Sequence, residues 1–236
     1  MKKQLTGFTL TELAVVLLIV ALLIGGMMLP LAAQDDIRRT QDTQRILTEI
    51  REALLGFAAA HGRLPRPATS ATDGAENPTP CASDAACFGF IPWATLGVAK
   101  LDAWDKIIRY SVTPVYASDA LTLVAIPNRK VLSRDAGGTL IYLAGQTNAC
   151  TARQCVPAVI FSQGRRNWGR NDAGIAYGNG SATNQDESAN DAGPTDFITR
   201  PITDNTAAAG GEFDDLVVWL SPNILFNRMV AAGRLP

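Results

Sequence analysis

Residues Leu13 to Gln34 carry no charge, and no other property of this chain restricts its fold as strongly. Most of these side chains are Leu, Val, Ile, Ala or Met. At 1.5 Å per residue, a helix of that length spans about 33 Å, enough for the hydrocarbon core of a bilayer. The expectation is a transmembrane helix. Ahead of it, Met1 to Gly7 forms a short polar leader whose charged side chains are Lys2 and Lys3. That charge keeps the leader on the cytoplasmic side and sends the rest of the chain across. Glu12 stands at the start of the apolar run, where a carboxylate is costly in lipid and requires a partner.

The junction Gly7-Phe8-Thr9-Leu10-Thr11-Glu12-Leu13, behind Lys2-Lys3, resembles the type IV pilin and type II secretion pseudopilin family. The resemblance is confined to the N-terminal segment. It implies cleavage after Gly7 by a prepilin peptidase, which also methylates the new terminus, Phe8. It implies that Glu12 faces the terminal amine of a neighbouring subunit. The implied partners are that peptidase/methyltransferase, other pilin or pseudopilin subunits and an inner-membrane assembly machinery. The implied location is a bacterial inner membrane, crossed once with the C-terminal domain in the periplasm, and then an extracytoplasmic filament. A Gly at the cut also suits a protease, which needs uncluttered extended backbone. Two other readings compete. A secretory signal peptide cut after Leu31-Ala32-Ala33 would have an unusually long apolar region and would leave Glu12 unexplained. A plain single-span anchor explains the length but not the junction.

The net charge is −1, so no basic excess is present to neutralise nucleic-acid phosphates. Four cysteines fall as Cys81 with Cys87 and Cys150 with Cys155. Their spacings fit structural zinc poorly. An exported chain meets an oxidising compartment, and local pairing would close two small loops, each tacking down a surface segment.

From Ile37 to Ala60 the apolar residues Ile46, Leu47, Ile50, Leu54, Phe57 and Ala58 recur at three- and four-residue steps, the mark of an amphipathic helix. With the apolar run it reads as one long helix bent near Gly25, Gly26 and Pro30, ending at His61-Gly62. Arg63 to Gly89 reads as loop. Strands are expected at 107–112, 121–126, 140–144, 158–162 and 213–220, and a closing helix from Pro222 with Ile224, Leu225, Met229 and Val230 on one side. The segment 164–212, rich in Gly, Asn, Asp and Ser, reads as a solvated mobile loop. The expected fold class is α+β: a long N-terminal transmembrane-plus-amphipathic helix packed on an antiparallel sheet with long loops. The expected parts are a leader at 1–7, a membrane or filament-core helix at 8–33, its amphipathic continuation at 34–62 and a globular domain at 63–236.

No reaction centre is visible, and the chain is not expected to be an enzyme. The lone histidine, His61, adjoins a helix-capping glycine and reads as a cap or surface residue rather than a base, and a single histidine cannot build a multi-histidine metal site. The glycines between Gly164 and Gly180 lack phosphate-cradle spacing. No cofactor is required. The runs Asp102-Ala103-Trp104-Asp105 and Asp214-Asp215-Leu216-Val217-Val218-Trp219 do resemble the major pseudopilin pattern. That resemblance leaves calcium open, through Asp214 and Asp215 with Asp196 or Asp204 lent by the loop; otherwise those aspartates are strand caps in solvent. The functional expectation is a structural subunit of a pilus-like or pseudopilus filament. The alternative is a periplasmic enzyme or binding domain tethered by its helix.

Overall fold

A computed structural model describes residues 9–118 and 121–235, with backbone alone at 24–32. In chain order the elements are α1 (Leu10–His61), β1 (Phe88–Phe90), α2 (Trp93–Leu96), β2 (Arg109–Val112), α3 (Pro114–Ala117), β3 (Lys130–Arg134), β4 (Leu140–Ala144), β5 (Ala158–Ser162), α4 (Gln185–Ala192), β6 (Asp196–Ile198), β7 (Leu216–Trp219) and α5 (Pro222–Ala231). The chain divides into two compact units, Met1–Gln41 and Asp42–Pro236, and α1 contributes to both.

In the first unit, α1 opens with a capping box. The Glu12 carboxylate accepts from the Thr9 backbone N–H at 2.8 Å and from its hydroxyl at 2.7 Å. In return the Glu12 N–H donates to Thr9 Oγ1 at 3.3 Å. Leu10, Leu13 and every large apolar residue from Val15 to Leu23 are exposed.

The membrane expectation is overturned. Among the described residues, no helix is long and apolar enough to cross a membrane. The transmembrane part of the expected fold, and the single-pass inner-membrane location with it, are therefore withdrawn. Gly7 and Phe8 lie outside the described residues, and the bend expected at Gly25, Gly26 and Pro30 falls where side chains are not described.

The second unit is α+β, and the sheet carrying its core is antiparallel. That sheet runs β1-β2-β5-β7. Its period-two alternation sends Tyr110, Val112, Ala158, Ile160 and Val218 to one face, in the main core. Val159, Phe161 and Val217 point the other way, onto Val131, Val156 and Phe197. On the first face lies the second stretch of α1, where Thr43, Leu47, Ile50, Leu54 and Ala58 are fully buried at three- and four-residue steps. Each Leu or Ile buried there is worth about 1.5–3 kcal/mol. α1 ends as expected: the Gly62 N–H returns to the Ala58 carbonyl at 2.8 Å, and Arg234 donates to the carbonyls of Ala59 and Ala60. His61 stacks on Phe57 with ring centroids 4.0 Å apart, and its Nδ1 lies 3.0 Å from the Phe57 carbonyl oxygen.

Several expectations need correction. A second sheet of order β4-β3-β6 contains a parallel pair, β3 with β6. Residues 121–126 form no strand; Leu121 and Ala125, four apart, are buried while Val124 is 82% exposed, which is turn-like rather than alternating. On α5 the buried residues are Pro222, Leu225, Phe226 and Met229, with Ile224 and Val230 exposed. The segment 164–212 is not a loose loop, since it supplies α4, β6 and the buried Phe197 and Ile198.

Two disulfides form, Cys81–Cys87 and Cys150–Cys155, with Cα atoms 5.2 and 6.1 Å apart. They are of the kind that persists in oxidising compartments. The long segment after α1 has other anchors besides its disulfide. Glu76 takes the Arg63 guanidinium through both oxygens and the Arg66 N–H at 2.8 Å. Fully buried Arg129 donates to Asp84 at 2.6 Å, to Ser111 at 2.7 Å and to the Val112 carbonyl.

Candidate metal centre

Three carboxylates from two parts of the second unit meet in its interior. Glu187 sits in the first turn of α4, and Asp214 and Asp215 lie immediately before β7. All three are buried, and one oxygen of each lies within 4.8 Å of the others. Their outer oxygens are held in place. Glu187 accepts from the Asp214 N–H at 2.9 Å and from Asn184 Nδ2 at 2.5 Å. Asp214 Oδ2 accepts from the Arg166 N–H at 2.9 Å, and Asp215 Oδ2 from Asn190 Nδ2 at 2.8 Å. The remaining oxygens, Asp214 Oδ1 and Asp215 Oδ1, are buried without any hydrogen-bond partner. A buried carboxylate oxygen left in that state is destabilising unless a proton or a cation compensates it.

Burial, reinforced by the Asp214 charge, pushes the Glu187 carboxyl up to about 7. Burial likewise raises Asp214, and raises Asp215 well above the usual carboxylate range with help from the Glu187 charge. Gly164 allows the cluster to close. Its φ is +55°, and a Cβ there would fall 2.3 Å from Asp214 Oδ1. Only glycine tolerates both the backbone angle and the contact.

The Asp-x-Trp-Asp turn supplies the neighbouring charges. Asp102 is buried, and burial raises its carboxyl. It accepts from the backbone of Trp104 at 2.8 Å and of Lys106 at 3.0 Å, and from the Ser162 hydroxyl at 2.5 Å. Lys106 is 5% exposed. Its ammonium donates to the carbonyls of Gln163 at 2.9 Å, Arg166 at 2.9 Å and Asn167 at 3.2 Å. Desolvation lowers its pKa, opposed by the charges of Asp214, Asp102, Asp215 and Glu187.

Of the residues the sequence offered for calcium, the structure brings Asp214 and Asp215 together and leaves out the other two. Asp196 is exposed in β6. Asp204 is 65% exposed in its side chain and pairs with Arg166 at 2.5 Å. Glu187 takes their place. The signal for it is the spacing Asn184-x-x-Glu187, which resembles a helix start inside a segment read as loop. The three-carboxylate set, with backbone carbonyls nearby and no His or Cys, has the hard oxygen chemistry that Mg²⁺ and Ca²⁺ take, and none of the soft ligands that zinc or copper favours. Glu12, the residue expected to direct assembly, is fully exposed at its cap, where the Thr9 hydrogen bonds, backbone first, lower its carboxyl.

Compared with protein-family models, curated proteins and solved structures, the chain matches none.

Proposed function

We propose that the chain is a structural subunit of a pilus-like filament, assembled through the first stretch of α1 and matured by prepilin-type cleavage after Gly7. The observation that carries this reading is the unbroken exposure of Leu10 and the apolar residues from Leu13 to Leu23. A helix apolar around its whole circumference is stable when buried among others like it. Ten large apolar residues are exposed there; covering them at a low-end value of about 1.5 kcal/mol each contributes about 15 kcal/mol. Association costs about 4–15 kcal/mol, so burial among copies of the same helix is sufficient to drive assembly. The work done is packing rather than catalysis.

Glu12 gives the reading its sharpest test. Gln serves as well as Glu at the third position of a capping box, so Glu12→Gln keeps the cap and removes only the charge. If Glu12 meets a partner subunit's amine, Glu12→Gln assembles poorly while its helix content is unchanged. Gly7→Ala blocks maturation, and sequencing of the natural product begins at Phe8. A natural product that begins at Met1 or Gln34, or a Glu12→Gln chain that assembles as well as the parent, overturns the reading.

A further inference from the structure

We propose that the paired guanidiniums of Arg134 and Arg200 form a binding site for a small oxyanion, a phosphate or carboxylate group, in the cavity between the β3–β4 turn and the loop at Ala208 and Ala209.

The cavity measures about 360 Å³, and both arginines line it. Strand register brings them together. β3 and β6 run parallel with Leu132 level with Ile198, so two residues further on Arg134 and Arg200 fall side by side on one face. Like charges so placed repel, and a single carboxylate holds them. Asp186 Oδ2 accepts from Nε of both arginines at 2.8 Å, and Oδ1 accepts from Arg134 Nη2 at 2.6 Å. The Asp186 side chain is 2% exposed, that of Arg200 7% and that of Arg134 19%. One enclosed negative charge thus serves two positive ones, and the surplus calls for a second anion.

Donors remain for it. A guanidinium has five N–H groups. Besides its bonds to Asp186, Arg134 donates to the Gly138 carbonyl at 2.7 Å and Arg200 to the Gly211 carbonyl at 2.6 Å. Among the described residues, Arg200 Nη1 has no hydrogen-bond partner, although its side chain is more than nine-tenths buried. The pair is also held in place. Gly210, φ +82°, packs onto Asp186, where a Cβ would fall 2.0 Å from Oδ2, and the Arg200 guanidinium lies 4.7 Å from the centroid of the Phe213 ring. Fixed guanidiniums with surplus charge and unused donors are what phosphate and carboxylate groups recognise. Asp135 opposes such a ligand. It lines the same cavity from an exposed position, with Oδ1 accepting from the N–H groups of Gly137 and Thr139 at 2.9 Å each. Its charge weakens the site and leaves the Arg200 donors free.

The experiment titrates the full chain, in a buffer free of both anions, with sodium phosphate and with sodium succinate. Calorimetry and thermal melting read the result against NaCl at matched ionic strength. The parent binds at least one of the two saturably, and its Tm rises above the NaCl control; phosphate alone marks a phosphoryl ligand, and succinate alone a carboxylate. Arg200→Gln leaves Asp186 its Arg134 bonds and weakens binding at least about tenfold, the worth of one charge-assisted hydrogen bond. Asp135→Asn still accepts the two backbone N–H groups, and loss of its charge tightens binding about two- to fivefold. A parent that binds neither salt saturably overturns the proposal, as does an Arg200→Gln chain that binds as tightly as the parent. Where Arg200→Gln fails to fold, Asp135→Asn decides: tighter binding supports the site, and unchanged binding overturns it. The proposal is independent of the filament reading, since a chain found to begin at Met1 leaves it intact.

Discussion

The two units break opposite rules of burial. In the first, the run from Leu10 to Leu23 exposes large apolar side chains while its opening turn is tied by reciprocal Thr9–Glu12 hydrogen bonds. In the second, Glu187, Asp214 and Asp215 set charge in the interior, and two of their oxygens go unpaired. Both arrangements cost stability in the isolated chain. The difference shows what each lacks. The apolar helix needs area, which another protein surface supplies without regard to direction. The acid pocket needs a point charge at one place, which a proton or a small ion supplies. Each departure from the burial rule thus calls for a different kind of compensation.

The most damaging way to test the contrast is to put a charge into the exposed run. Leu17→Asp abolishes self-association in sedimentation while leaving the Tm of the second unit unchanged. Assembly that survives this change removes the basis for assigning the helix a protein partner. Next is a change on the buried stretch of the same helix. Leu47 is fully buried, and Leu47→Ala lowers unfolding stability by about 2–5 kcal/mol without weakening association among molecules that remain folded. Chemical denaturation measures the first effect, and sedimentation checks the second.

A gentler test is the pH dependence of the pocket in chelator. Glu187 titrates near 7 when folded, against an ordinary 4.5. Between those values the folded chain holds a proton that the unfolded chain has released, so this group's contribution favours folding at low pH and is lost as pH rises through the window. Relative to Glu187→Gln, the parent gains about 4–8 °C in Tm between about pH 8 and pH 5.5. A parallel response of the two proteins shows that the pocket does not hold the proton.

The amphipathic stretch of α1 was readable because its buried positions obey a helical period over several turns, Leu47 through Ala58. β5 was readable because it is apolar from Ala158 to Phe161 and buried on both faces. β3 escaped because Lys130 and Arg134 bound a short run, Val131-Leu132-Ser133, with no clear alternation. The pocket was half legible. Asp214 and Asp215 stand beside a hydrophobic strand, where aspartate is conspicuous. Glu187 stands in an eight-residue helix with few apolar residues, Gln185–Ala192, which forms because Asn190 bridges to Ile198 and Asp215. Such tertiary contacts leave no local period in the sequence. Disulfide pairing was open to inference, because each pair closes a loop of five or six residues. The transmembrane expectation is not met, since among the described residues no helix is long and apolar enough to cross a membrane.

At position 164 the α-hydrogen of glycine rests where any larger group would strike the Asp214 carboxylate. Every amino-acid change reachable from a glycine codon by one nucleotide adds at least a β-carbon. Drift at this codon therefore has no conservative intermediate: lineages that keep the three acids together must keep the glycine, and those that lose it must rebuild the pocket.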